Sequence, residues 1–397
     1  MLLIESILAE AAGIAALRRD IHAYPELCFE EARTGDLVAR QLEAWGIEVH
    51  RGLGRTGLVG VIRNGTSDRA VGLRADMDAL PIQEHNHFGH ASRHAGKMHA
   101  CGHDGHTAML LAAAQYLAKH RHFDGTVYLI FQPAEEGGGG AREMMRDGLF
   151  QRFPMEAIFG AHNWPGLKAG QIAVKTGPCF ASSNEFKIVL RGKGCHGAMP
   201  HMGTDPVPAA CQMVQAFQTI LTRNKHPLDT GVISVTMIHT GEATNVIPES
   251  CEMQGTVRTF TTPVLDLIER RMRQIAQSTA EAFELECNFE FDRNYPPTVN
   301  HDAESAFIRE VGTELLGADN VQEFVPTMGA EDFSYFLQEK PGCYFVIGNG
   351  DGTHRDGGHG LGPCTLHNPS YDFNDELIPI GASLWVRVAE RWLNRPR

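Results

Sequence analysis

The chain has 397 residues, 43% hydrophobic and 21% charged, with 35 Lys and Arg against 48 Asp and Glu for a formal net charge of −13. Such a composition is that of a globular protein in water, and the acidic balance argues against nucleic acid or a membrane surface as a partner, since both need clustered cations. The length exceeds what one ordinary core serves, so two domains are expected. No segment approaches the roughly 18 unbroken apolar residues of a membrane span. Nine cysteines, scattered and odd in number, suggest no disulfide framework and fit a cytoplasmic location.

Leu3, Ile7, Ile14 and Leu17 share one helical face while Glu5 and Glu10 interrupt the opening apolar run, which predicts an amphipathic helix rather than a secretory leader. A second helical pattern runs from Thr34 to Trp45 and stops at Gly46. Strand-like runs follow at "LVGVI", "AVGLRA", "TVYLIF" and "AIFGAH", and between two of them lies the helix "HTAMLLAAAQYLAKH", with Asp104 placed as its N-cap. This alternation predicts an α/β domain with a largely parallel sheet, whose sites lie at the carboxyl ends of strands. From about Asn184 the texture changes: strand "EFKIVLRG", helix Pro206 to Arg223, strands "GVISVTMI" and "CEMQGTVRTF", helix Pro263 to Phe283 and strand "CNFEFD". That order, β-α-β-β-α-β, is ferredoxin-like and complete in itself. A helix near Ala303 to Leu316, a strand "CYFVIG" and a closing helix from Ile380 to Leu393 return to the first texture. The expected division is a discontinuous α/β domain over 1–183 and 295–397 with an α+β domain, 184–294, inserted into it.

The densest chemistry is "MHACGHDGHTAML", which sets Cys101, His103, Asp104 and His106 within six positions. In an extended segment Cys101 and His103 would project to one side, and thiolate and imidazole are both zinc-type ligands. Glu135 and Glu136 follow in "FQPAEEGGGGA", at a strand end. One of such a pair can ligate metal while the other serves as general base; spacing alone leaves open which does which. The glycines lack the Lys-Ser or Lys-Thr of a phosphate loop. His162 in "FGAHNWP" and His367 in "TLHNPSYDF" complete a sulfur, nitrogen and oxygen donor set too rich for one tetrahedral ion, so two close metal ions are expected. The histidines of "HNHFGHASRH" (His85 to His94), His354 and His359 read as surface or supporting groups.

Taken together, "RADMDALP" (Arg74 to Pro81), "MHACGHDGHTAML", "QPAEEGGGGA", "GKGCHGAMPH" (Gly192 to His201), "TNVIP" (Thr244 to Pro248), "GAEDFS" (Gly329 to Ser334) and "LHNP" resemble the co-catalytic metallopeptidases of the aminoacylase and glutamate carboxypeptidase family. Within it they are most similar to the branch of hippurate hydrolases and indole-acetyl-amino-acid amidohydrolases. The resemblance spans nearly the whole chain, in order. It implies Cys101, His103, Glu136, His162 and His367 as ligands of two divalent ions, zinc or manganese with cobalt or nickel also accepted, and Glu135 as the general base. Arg74 falls where other branches carry a histidine ligand, and Asp76 would orient a ligand from behind. His196 would reach the substrate carbonyl oxygen, often from a neighbouring subunit, since the inserted domain of the family is usually a dimerising lid. Asn245, Arg258 and His201 would bind substrate. The implied activity is hydrolysis of N-acyl amino acids. A dipeptidase or aminopeptidase on the same metals, and a non-catalytic protein retaining the fold, are the alternatives. A nucleophilic Cys101 would not require the other ligands, and a redox pair would need a second cysteine close by.

Overall fold

The computed structural model describes residues 1–395. The chain divides into two units. The larger comprises Met1–Gly177, Val299–Val325 and the described residues from Asp332 onward; the smaller is Pro178–Thr298 with Pro326–Glu331. The smaller unit thus runs slightly beyond the expected 184–294, and its detached piece is held by Ala181, whose N–H donates to the carbonyls of Thr327 (3.2 Å) and Gly329 (2.9 Å).

The larger unit is built on an eight-stranded mixed sheet. Its order is Glu48–Leu53, Gly57–Asn64, Gly125–Gln132, Ala70–Asp76, Ala157–Pro165, Gly342–Gly350, Ile172–Val174, Val321–Glu323. The four middle strands, from Gly125–Gln132 to Gly342–Gly350, run parallel. The antiparallel pairings lie towards the edges. Ala70–Asp76 is buried along its whole length, the pattern of a parallel strand covered on both faces, which is why its first four residues, "AVGL", are apolar without alternation and its two charged residues, Arg74 and Asp76, pair with each other. Because the middle strands are parallel, their carboxyl ends share one edge, and Asp76, Gln132 and His162 lie at or near those ends. Helices Glu5–Ala23, His103–His120 and Leu377–Leu393 contribute Ile7, Ile14, Leu110, Leu111, Trp385 and Val386 to the core cluster on this sheet. The helix expected after Asp104 begins one residue before it: Gly102 is the N-cap, and the Asp104 side chain makes no cap hydrogen bond. Buried cations take that carboxylate instead. Among the described residues no helix is long and apolar enough to cross a membrane.

The smaller unit carries a four-stranded antiparallel sheet, ordered Gly231–His239, Ser250–Thr259, Ser183–Arg191, Glu286–Tyr295. Alternate residues Phe186, Ile188 and Leu190 and Cys251, Met253 and Val257 are buried against helices Pro206–Thr219 and Thr262–Ala282, through Met213, Phe217, Ile268 and Met272. The first helix is capped by Asp205, which accepts from Val207 N–H at 2.9 Å. The order of elements and strands is the ferredoxin-like arrangement expected from sequence.

Candidate metal centre

Cys101 and His103 do converge, but not along an extended segment. Gly102 between them is left-handed (φ +91°), and the chain enters the helix at His103. A Cβ on Gly102 would lie 2.3 Å from Asn163 Nδ2 and 2.4 Å from the Tyr371 hydroxyl, so only glycine fits. Those two side chains hold the turn: Asn163 Nδ2 donates to the Cys101 carbonyl (2.6 Å), and Tyr371 donates to Asn163 Oδ1 (2.7 Å).

Asp78 is the residue that ties the donors together. Its Oδ1 lies 3.2 Å from His103 Nδ1 and accepts the Glu135 N–H at 3.0 Å, while Oδ2 accepts the Glu136 N–H at 2.9 Å. The place behind a ligand that was expected of Asp76 therefore belongs to Asp78. Asp76 instead meets His106 Nδ1 (2.6 Å) and Arg74 (2.6 Å). His106 Nε2 accepts the Asn163 N–H at 2.9 Å, so its proton sits on Nδ1 and both ring nitrogens are used. His106 is a strut, although it lies among the donors.

The five expected ligands come together. Cys101, His103 and His162 form one set whose donor atoms all lie within 4.8 Å; Cys101, Glu136 and His367 form another; His103, Glu135 and Glu136 a third. Cys101, His103 and Glu136 each belong to two of these three sets. The Cys101 Sγ is 3.3 Å from His162 Nε2, and His162 Nδ1 lies 2.6 Å from the Asn163 carbonyl, an acceptor that fixes the proton there and leaves the Nε2 lone pair facing the sulfur. His367 Nε2 is 3.2 Å from Glu136 Oε1. His367 (φ +62°) and Ala134 (φ +53°), just before the glutamates, are left-handed without being glycine. Such conformations cost on the order of 1–3 kcal/mol each and concentrate at functional sites.

The donor set suits divalent cations. His103 Nε2 is buried with no hydrogen-bond partner, the nearest carboxylate oxygens being 3.7 Å (Asp76) and 4.0 Å (Glu135) away. Burial, Glu136 and Glu135 push the Cys101 thiol well above its ordinary range, and a coordinated cation is what would make it a thiolate. Burial and neighbouring His106 hold the His162 imidazolium well below its ordinary range. Burial also disfavours a charged His103, but Asp76 and Asp78 outweigh it and raise that ring to about 10. An excess of carboxylates around sulfur and imidazole donors is a cation site by charge as well as by geometry.

Behind His103 lies a buried ionic network that sequence reading missed. Arg18, fully buried, reaches Asp104 (3.2 Å), Asp372 (3.0 Å) and Asp375 (2.7 Å). His22 stands between Asp104 (2.9 Å) and Glu84 (3.2 Å). Burial opposes its charge, but these carboxylates raise it to about 10. Of the His85 to His94 tract, His90 is buried at 3.2 Å from Asp372, while His85, His87 and His94 are exposed.

In the smaller unit, Cys195–His196 pairs antiparallel with Val246–Ile247. His196 is exposed; its Nδ1 accepts the Ala198 N–H at 3.0 Å, which puts the ring proton on Nε2 as an outward donor. The Asn245 carbonyl accepts the Gly197 N–H at 2.7 Å, so the loop brings Asn245 beside His196. His201 is exposed in the turn Pro200–Met202. Arg258 stands apart, half-buried on strand Ser250–Thr259, its Nε donating to Thr256 Oγ1 at 3.2 Å.

A thiol, three imidazoles and a carboxylate around one locus, with a second carboxylate beside them, define a metal-dependent hydrolase. The sequence matches peptidase family M20/M25/M40 over residues 72–391, and the chain belongs to that family. It is 39% identical over 394 residues to hippurate hydrolase of Campylobacter jejuni, covering 99% of this chain and 100% of that protein. It is also 39% identical to IAA-amino acid hydrolase ILR1-like 4 of Arabidopsis thaliana, covering 96% of this chain and 86% of the relative. Among solved structures, the Bacillus subtilis YXEP protein, a dinuclear metal binding peptidase of the M20 family, is 32% identical with a TM-score of 0.83, covering 97% of this chain and 99% of that one.

Proposed function

We propose that the protein hydrolyses the amide bond of N-acyl amino acids, hippurate-like or N-acetylated, releasing a carboxylic acid and a free amino acid. The observation that carries this reading is the convergence of a thiol, three imidazoles and two adjacent carboxylates: Glu136 groups with Cys101 and His367 and, together with the more deeply buried Glu135, with His103; Glu136 is assigned as ligand and Glu135 as base. The metals are assigned to Cys101, His103, Glu136, His162 and His367. A divalent pair held there would polarise the amide carbonyl and make water acidic enough to attack it.

The remaining chemistry belongs to the chain. Glu135 takes the proton of the attacking water on its carboxylate and returns it to the leaving nitrogen. His196 offers its Nε2–H to the carbonyl oxygen as negative charge develops there, a contribution of about 10²–10³ in kcat by comparison with other such donors. Arg258 clamps the carboxylate of the substrate in two-point fashion, and Asn245 and His201 contact it from the same unit. Thiolate and imidazole favour zinc and the carboxylates admit manganese, cobalt or nickel. The smaller unit is assigned as lid and homodimer interface. All nine cysteines are free, which fits a reducing cytoplasm.

The test is amine release from a panel of N-acyl amino acids, hippurate included, by protein reconstituted with zinc or manganese. Glu135→Gln should keep its metal and lose about 10²–10⁴ in turnover. A Glu135→Gln protein near wild-type activity would remove the base assignment. Cleavage of free dipeptides without any release from N-acyl compounds would make the protein a peptidase instead.

A further inference from the structure

The turn that aims Glu135 and Glu136 is gripped by a segment about a hundred residues earlier in the chain. Glu31 is fully buried. Its Oε1 accepts the N–H of Ala134 at 2.8 Å and of Phe29 at 3.0 Å, and its Oε2 accepts the Thr56 hydroxyl at 2.5 Å. Three residues before it, Cys28 Sγ donates to the Glu136 carbonyl at 3.0 Å. Ala134 is the left-handed residue at which the backbone changes direction before the two glutamates. The turn is therefore held on both sides, Glu31 on the amide that enters it and Cys28 on the carbonyl that leaves it. Glu31 itself belongs to none of the donor sets.

Resting on the assignment of Glu135 as base and Glu136 as ligand, we propose that Glu31 is a positioning residue for the reaction: its carboxylate locks Ala134 in the left-handed turn and so sets the direction of the Glu135 side chain. It acts only through the backbone.

The proposal is tested on the full chain loaded with manganese, with three variants and three readouts: kcat and KM on hippurate, metal-to-protein ratio, and amide exchange of the peptide containing Ala134. Glu31→Ala should lower kcat about 30-fold with KM within about twofold, as expected when a reacting group is misplaced by a fraction of an ångström. Its metal content should match wild type, and the Ala134 amide should exchange at least about tenfold faster. Glu31→Gln keeps a carbonyl oxygen for the Ala134 N–H and an amide for Thr56, so kcat should stay within about threefold and exchange near wild type. Thr56→Val frees only Oε2 and should give a smaller change, about three- to fivefold in kcat, in the same direction. A metal-loaded Glu31→Ala with unchanged kcat or unchanged exchange overturns the proposal, as does a Glu31→Gln that loses as much as Glu31→Ala. If Glu31→Ala does not fold, Thr56→Val with wild-type kcat and exchange overturns it. The exchange pattern does not depend on substrate, so it decides the positioning role even if the wild-type chain hydrolyses none of the panel, a result that would overturn only the proposed function.

Discussion

Gly102→Ala is the sharpest test of how the centre is held. The left-handed φ of +91° costs a residue with a Cβ about 1–2 kcal/mol. The new Cβ would also sit 2.3 Å from Asn163 Nδ2, so Asn163 must move and give up its bonds to the Cys101 carbonyl and His106, a further loss of about 2–3 kcal/mol in a buried network. The sum is about 3–5 kcal/mol. At about 2–4 °C per kcal/mol for a unit of this size, that is a fall of about 6–20 °C in melting temperature. Displacing Cys101 relative to His103 should also weaken metal binding, by about 10–100-fold if it matches the loss of an orienting residue. Gly13→Ala supplies the control of opposite sign: it lies within helix Glu5–Ala23 with no atom within 4 Å of its Cβ, and should stabilise by about 1 kcal/mol. Calorimetry and the metal-to-protein ratio after gel filtration read both effects. A Gly102→Ala protein that melts with wild type and keeps its metal would refute the steric reasoning.

Three further outcomes follow from the same geometry. Arg18→Met leaves Asp104, Asp372 and Asp375 around a missing cation and should cost about 3–5 kcal/mol in denaturant unfolding; a loss below about 1 kcal/mol would mean the network is not what anchors these segments. Asp78→Asn removes the full carboxylate from His103, Glu135 and Glu136 and should weaken metal binding about 10–100-fold in chelator competition while circular dichroism stays unchanged. For the metal-free protein, stability should be bounded on both sides in pH. Asp104 and Asp372 are held below the ordinary carboxylate range, against the cost of burial, by His22 and Arg18, so their contribution is full above that range and is lost progressively as pH falls below it towards their own depressed values. His22, raised from 6.5 to about 10, contributes fully below pH 6.5 and progressively less as pH rises towards 10. A melting temperature that keeps climbing from pH 6.5 to 9 would contradict this sign.

What could be read from sequence was what local pattern encodes. The ferredoxin-like order of the smaller unit was legible because alternation in "EFKIVLRG" and "CEMQGTVRTF" and helical spacing in Thr262–Ala282 are set within each element. The candidate ligands stood out as local clusters of Cys, His and Glu; Glu135 and Glu136 follow strand Gly125–Gln132 and His162 lies on Ala157–Pro165, whereas Cys101, His103 and His367 sit beyond loops whose path no single strand end encodes. Asp104 was misplaced as a cap because its cations, Arg18 and His22, lie 86 and 82 residues away, beyond any local signal. Asp76 and Asp78 are two positions apart in one motif, and only the strand end, which turns the chain between them, separates the strut on His106 from the clamp on His103. Gly102 was visible as a letter; its φ was not.

The ion pair between Arg18 and Asp375 spans 357 residues. A ribosome adding 5–20 residues per second takes about 20–70 s to travel that distance. Through that interval the nascent first helix presents a guanidinium destined for full burial while two of its carboxylate partners, Asp372 and Asp375, are still to come, and the centre lacks His367. The larger unit therefore cannot close as it is made, whereas the four-stranded sheet and two helices of the smaller one, continuous in sequence, can fold as soon as Tyr295 has emerged. Synthesis thus leaves one unit finished while the other stays open, and the segment that brings His367, Asp372 and Asp375 acts as the clasp.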